Sequence, residues 1–463
     1  MSTRTIAIAG LVLIAAGCAR TLPPAPIANC SEVLAQTKVL QHYRQALDQL
    51  AQHQPPRSVA GLSCFLKPET VQRSSSTAAY QALIEQGVSS DVLYAALQQN
   101  LERNLRQDRK LNQKRDAGLA WPGAYLSEAA LVAYRRTGET RFLDLFAAYF
   151  NSLLERRDDR LGRFDVQHQR VMKAWGSVNI EQDRWIAHIT HNARITYPAT
   201  EFARIVRKDP ALAAYRDQAE RFLASAEETL AEFNNDWVPV PGHPEIRWFR
   251  RPFDSNLEAT NHLHVVGTAW LNLAELTGKP DYRQKLEQLI AIFQQGVHRE
   301  PGGLVSWNYF PPFAGQEKND PEFRNGQEYS EPIWKASLTA PFLLRAQQQG
   351  YKVPAELTRA IGRTFSSLSF QGDQIWRNLA RKDSRFVDAQ KDRRKLGFLK
   401  NTTVLIEYGS VAPELPGQIS QLVALRPDLF AKGWLSSPAT LLGAAYTLKP
   451  VELTPPRRPE RSH

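Results

Sequence analysis

The sequence predicts an all-α fold assembled from αα-hairpins. Helical apolar periodicity dominates from about residue 91 onward, few segments alternate as strands do, and one helix–turn–helix plan recurs along the chain. The plan is plainest in AALVAYRRTGETRFLDLFAAYFNSLLER, from Ala129, and TAWLNLAELTGKPDYRQKLEQLIAIFQQGV, from Thr268. Each reads as a helix, a Thr-Gly turn, an aromatic residue (Phe142 or Tyr282) and a second amphipathic helix. ATEFARIVRKDPALAAYRDQAERFLASAEETL, from Ala199, repeats it with Asp-Pro in the turn and Tyr215 as the aromatic. The copies are about 60–75 residues apart, too long for ~34-residue solenoid repeats. Hairpins spaced in this way can close into a ring of inner and outer helices.

The elements follow in order. Arg4 and the apolar run Ile6–Ile14 lead into Ala15-Ala16-Gly17-Cys18, the pattern of a signal peptide over residues 1–17. A cysteine directly after small residues resembles the bacterial lipoprotein lipobox, with Ala15 where leucine is commoner. That resemblance implies cleavage before Cys18, acylation of its thiol, and a lipid-anchored protein of the periplasm or outer membrane. Residues 18–30, with TLPPAP, are expected to be a stiff tether. Cys30 and Cys64 then remain as an even pair in an oxidising space, open either to a disulfide or to two buried thiols. Residues 31–90 form an N-terminal segment with helical periodicity through Val33, Leu34, Val39, Leu40 and Leu47. The hairpins occupy 91–448, and WVPVPGHPEIRWFRRP, from Trp237, reads as a strand hairpin or a long loop. The Pro/Arg-rich residues 449–463 are expected to be a disordered tail.

The hairpin spacing and turns resemble the (α/α) toroid shared by many polysaccharide lyases, uronate epimerases and some glycosidases. The expected architecture is therefore an incomplete (α/α) toroid with a few short strands in its loops, whose mouth binds sugar.

Composition narrows the chemistry. The 463 residues carry 58 Lys+Arg against 47 Asp+Glu, a formal charge of +11, which would attract an acidic polysaccharide. Walker, dinucleotide and zinc-finger patterns are absent from the sequence, so no cofactor and no metal are expected. Nucleic acid is not an expected partner, and a monomer is expected.

Three clusters hold the candidate chemistry. His188–Pro198 (HITHNARITYP) combines His188, His191, Asn192, Arg194 and Tyr197 with few of the Lys and Glu of a surface helix. Glu258–Trp270 contains the adjacent pair Asn261-His262, which resembles the Asn-His pair of toroidal alginate lyases. That resemblance implies an amide neutralising a substrate carboxylate and an imidazole or tyrosine removing a proton; an Asn261 helix cap is the bland reading. The third cluster, GGLVSWNYFPPF from Gly302, offers Trp307 for stacking and Tyr309 as a phenol, or else both plug the ring. Trp121, Tyr125, His188, Arg250, Glu328, Tyr329 and Trp334 are the further substrate-binding candidates.

Amides, imidazoles and an arginine suit abstraction of a sugar proton beside a carboxylate, because they stabilise the charge that develops. The expectation is an exported polysaccharide lyase acting on a uronate polymer by β-elimination. Asn192 and Asn261, with Arg194, would hold the carboxylate, His191 or His262 would be the base, and Tyr197 or Tyr309 the acid. The alternatives are a uronosyl epimerase, a glycoside hydrolase using carboxyls among Glu201, Asp254, Glu258, Glu328, Glu331 and Glu407, or a non-catalytic glycan-binding lipoprotein.

Overall fold

The computed structural model describes residues 89–111, 118–178, 184–251, 256–313, 330–371, 374–376, 378–379, 400–419 and 438–448. Cys18, Cys30, Cys64, the leader, the tether, the tail, Glu328 and Tyr329 lie outside the described residues.

The recurrent plan folds as read. Helices α2 (Ala124–Thr137) and α3 (Arg141–Leu154) form one hairpin, and α4 (Ile189–Lys208) and α5 (Arg216–Ala231) the next. They are followed by α6 (Thr260–Thr277) with α7 (Pro280–Gln295), and by α8 (Ile333–Gln348) with α9 (Ala355–Thr364). Helix α1 (Ser90–Leu111) precedes them, and a 3₁₀ segment (Lys400–Ser410) and α10 (Pro438–Thr447) follow. The first helix of each hairpin lies inside and the second outside. Helices α2, α4, α6 and α8, the 3₁₀ segment and α10 each pack on the next, and α10 returns to α2. The fold is an all-α (α/α) toroid.

Local chemistry explains the repeat. In two hairpins the inner helix ends on a left-handed glycine, Gly138 (φ 71°) and Gly278 (φ 67°), each satisfying a carbonyl of the last turn. The preceding threonine acts identically in both. Thr137 and Thr277 donate to the carbonyls of Ala133 and Leu273 and accept from the N–H of Glu139 and Lys279. In the third hairpin Asp209 accepts from Ala211 N–H at 2.9 Å instead. The recurring aromatic fastens each outer helix to the one before it: Tyr215 donates to Asp144 at 2.6 Å, Tyr282 donates to Glu227 at 3.2 Å, and Phe142 meets Tyr94 edge-on.

Inner helices are buried almost all round because they are enclosed on every side, so polar side chains such as Asn192, Thr196 and Glu201 of α4 are buried along with the apolar ones. In α6, Leu263, Val265, Val266, Ala269, Trp270 and Leu271 are all buried. Gly267 permits a close approach to α8, since a Cβ there would stand 2.6 Å from the Phe342 ring.

Short antiparallel hairpins bridge each outer helix to the next inner one. They are β1–β2 (Phe164–Asp165, Arg170–Val171), β3–β4 (Gly176–Ser177, Ile186–Ala187), β5–β6 (Trp237–Val240, His243–Phe249) and β7–β8 (Val297–Glu300, Leu304–Trp307). The segment from Trp237 is thus a strand hairpin, with a register shift at Pro239/Val240. A further pair, β9–β10 (Phe370–Gln371, Gln374–Ile375), follows α9. All these loops enter inner helices at their N-termini, so they gather at one end of the ring.

His168 pins two of the loops together. Its ring nitrogens lie 3.0 Å from Asp165 and 3.1 Å from Asp236. Burial alone would lower its pKa, but hydrogen bonds to both carboxylates outweigh this and raise it to about 9. The folded value lies above the ordinary 6.5, so the contribution to stability is complete below about pH 6.5 and is lost as pH rises through 9. The thermal midpoint is expected to fall across that alkaline window, and His168→Gln should flatten the fall. An unchanged alkaline limb in that variant would refute the assignment.

Candidate functional site

The mouth of the toroid is built from the residues that enter its inner helices. Glu258 stands two residues before α6, and Glu331 two residues before α8. Each is seated in the same way. The Glu258 N–H donates to the carbonyl of Phe249, the last residue of β6, and the Glu331 N–H donates to that of Trp307, the last residue of β8. His188, the residue before α4, completes the series.

Glu258 is the hub. One carboxylate oxygen is hydrogen-bonded to His188 Nε2 and the other to His262 Nδ1 at 2.7 Å. Burial pushes this carboxyl up, but attraction to His188 and the hydrogen bonds of His188 and His262 outweigh it and hold its pKa far below the usual carboxylate range. Burial lowers the pKa of His262, and Glu258 only partly offsets that, so its imidazole is neutral near pH 7. With Nδ1 on Glu258, the other nitrogen of His262 is turned away from the carboxylate, and its side chain keeps 23% exposure. His191 packs edge-on to His188 and accepts from Trp121 Nε1–H at 3.2 Å. Burial, then His188 and His262, depress its pKa strongly. Across the mouth, Tyr309 lies edge-on to His262, with the Lys335 ammonium 3.7 Å from its ring centroid.

Glu331 has the opposite charge state. Burial raises it to about 8, against weaker lowering by hydrogen bonds from Trp307 and Thr339 and by Lys335. At pH 7 it holds its proton, one helix along from the ionised Glu258.

The structure thus gathers Trp121, His188, His191, His262 and Tyr309 around the mouth, and Trp334 is buried in the first turn of α8. It places the others elsewhere. Asn192 is fully buried: Oδ1 accepts from Trp175 N–H at 2.9 Å, and Nδ2 donates to the Trp175 and His188 carbonyls. Arg194, Tyr197 and Tyr125 line a cavity deeper on the ring axis. Burial drives the Tyr197 phenol far above its ordinary pKa, the reverse of what an acid–base tyrosine needs. Asn261 is buried, and Ala259 rather than Asn261 occupies the N-cap of α6, without a side-chain cap. Trp307 is 2% exposed, packs on Phe293 and donates to Glu331, so the sugar-stacking role expected of it is corrected. Arg250 is half-buried in the loop after β6 and bridges to Leu257 through its main chain.

No family model matches the chain, and no curated protein matches it. Similar solved structures are those of the GH76A α-1,6-mannanase from Salegentibacter sp. HEL1_6. The enzyme itself gives a TM-score of 0.42 at 10% identity, covering 76% of this chain and 98% of that one. An inactive variant in complex with α-1,6-mannotriose gives 0.41 at 10% identity, covering 76% and 99%. A second inactive variant, in complex with α-1,6-mannotetrose, gives 0.40 at 10% identity with the same coverage.

Those structures are of a glycoside hydrolase, and the lyase reading is corrected. The geometry supplies the physical reason. Elimination requires amide and guanidinium donors aimed at a substrate carboxylate beside the base. Here the Asn192 amide is consumed by main chain, and Arg194 and Tyr197 face the axial cavity. The feature missed in the sequence is the Glu258/His262 pair, four residues apart, with Glu258 in the loop ahead of α6 and His262 in its first turn.

Proposed function

We propose that the chain is a glycoside hydrolase whose cleft is the mouth of the toroid. One observation carries the reading: two carboxyls, Glu258 held by His188 and His262 and Glu331 held by Trp307 and Thr339, are seated alike at the entrances of neighbouring inner helices, in surroundings that push their pKa values in opposite directions. Hydrolysis of a glycoside calls for one proton-donating and one ionised carboxyl, and environments that split two pKa values mark such a pair. Glu258 reaches the cleft through His262, whose neutral imidazole takes a proton from the attacking water while Glu258 stabilises the imidazolium. Glu331 supplies the acidic carboxyl. Trp121, half-buried beside His191, is the wall against which a sugar ring stacks. The +11 charge favours a glycan bearing acidic groups, and the Cys18 motif favours a lipid-anchored exported protein.

The test is turnover of a panel of mannans, neutral glucans and uronate polymers in heavy-oxygen water. New reducing ends carrying the heavy oxygen are expected, without the ultraviolet absorbance of an unsaturated sugar. His262→Ala should abolish them while leaving glycan binding intact. Equal loss of binding and turnover in that variant, or no reducing ends from any glycan that binds, would sink the proposal.

A further inference from the structure

Below the mouth, on the ring axis, all six inner segments surround a small cavity lined by Tyr125, Glu128, Arg194, Tyr197, Arg345 and Tyr446 among others. Its volume of about 30 Å³ is room for one or two molecules the size of water. The groups around it are ionic and mostly paired. Arg345 donates to Glu128 at 2.7 Å, to both oxygens of Glu407 at 3.0 Å and to Tyr446 at 3.0 Å. Arg135 and Arg204 share Glu201. Arg194 is different. Its nearest carboxylate oxygen, on Glu128, is 3.6 Å from Nη1, beyond a direct hydrogen bond. Its Nε and Nη2 are buried without any hydrogen-bond partner, as is the hydroxyl of Tyr125, whose ring lies 4.4 Å from the guanidinium carbon.

The charges are unevenly engaged as well. In the lining itself Arg194 and Arg345 balance Glu128 and Glu407, but Arg345 engages both carboxylates directly while Arg194 reaches neither; beside the cavity Arg135 and Arg204 share Glu201, with Arg204 also 4.0 Å from Glu275. A buried cation without a hydrogen-bonded counter-charge is costly, and a buried N–H or O–H without an acceptor is costly as well. Every unsatisfied atom named here is a donor. Water brings two protons of its own to such a place, whereas a monatomic anion brings only acceptance.

We propose that the axial cavity binds a small monovalent anion of halide size, held by Arg194 Nε and Nη2 and by the Tyr125 hydroxyl. The site is separate from the catalytic proposal, because it lies beneath Trp121, with the Arg194 guanidinium 5.9 Å from that ring. Its role is to satisfy the donors left over in the network that ties the inner helices together.

The probe is bromide, added to the full chain in place of gluconate at constant ionic strength. The thermal midpoint is expected to rise saturably, by about 2–4 °C at saturation. Tyr125→Phe should weaken the apparent bromide affinity several-fold, and Arg194→Met should abolish the rise. Should Arg194→Met fail to fold, Tyr125→Phe and an anomalous-scattering peak in a bromide-soaked crystal decide the matter. A midpoint indifferent to gluconate-for-bromide exchange, or a bromide-soaked crystal with an empty axial cavity, overturns the proposal.

Discussion

Glu258→Gln is expected to lower kcat/KM on the hydrolysed glycan by about 10²–10⁴-fold, the range associated with a positioned acid–base group. The substitution keeps size and burial but removes the charge that orients His262 at 2.7 Å and accepts from His188. The loss should fall on kcat, with KM little changed, because the Trp121 wall remains. The acid limb of the pH–rate profile should move downward as well, since the carboxylate that favours protonated His262 is gone. A variant that loses KM and kcat together, with an unshifted acid limb, would show Glu258 to be merely structural. Thermal unfolding of the same variant separates this result from misfolding.

The second large effect is expected at Arg345. Its guanidinium joins Glu128 of α2 to Glu407 of the 3₁₀ segment and Tyr446 of α10, so one side chain on α8 holds elements from around the whole ring. Arg345→Met leaves two carboxylates in the interior without their common partner. Removing one member of a buried ionic network typically costs about 3–5 kcal/mol. Equilibrium unfolding in urea should show a loss of that size at neutral pH. The double variant Arg345→Met/Glu407→Gln should recover part of it, because one stranded charge is then neutral. A loss below about 1 kcal/mol would mean that water reaches these groups and screens them.

Local chemistry was legible in the sequence, and convergence was not. The Thr-Gly turns, the Asp-Pro turn and the recurring aromatic were read correctly because each is decided within a few residues. The toroid followed from their spacing. Asn192 misled for the complementary reason: its amide is used up by Trp175, on a loop that sequence periodicity does not place beside α4. Arg194 and Tyr197 were grouped with His188 because they are neighbours in sequence, yet a helix turns them toward the axis while His188 faces the mouth. The carboxyls were visible as residues but not as a pair. Only the shared seating of Glu258 and Glu331 after strands β6 and β8 shows their equivalence.

The way the ring shuts bears on how the chain is made. Helix α10 is the piece that meets α2, near the start of the toroid. Until it arrives, a nascent chain is an open arc with two bare helical flanks, each apolar and ready to join another molecule. Synthesis must therefore pass α10 before the molecule can seal itself, so a product interrupted or clipped ahead of that helix would be prone to clump rather than persist as a smaller working protein.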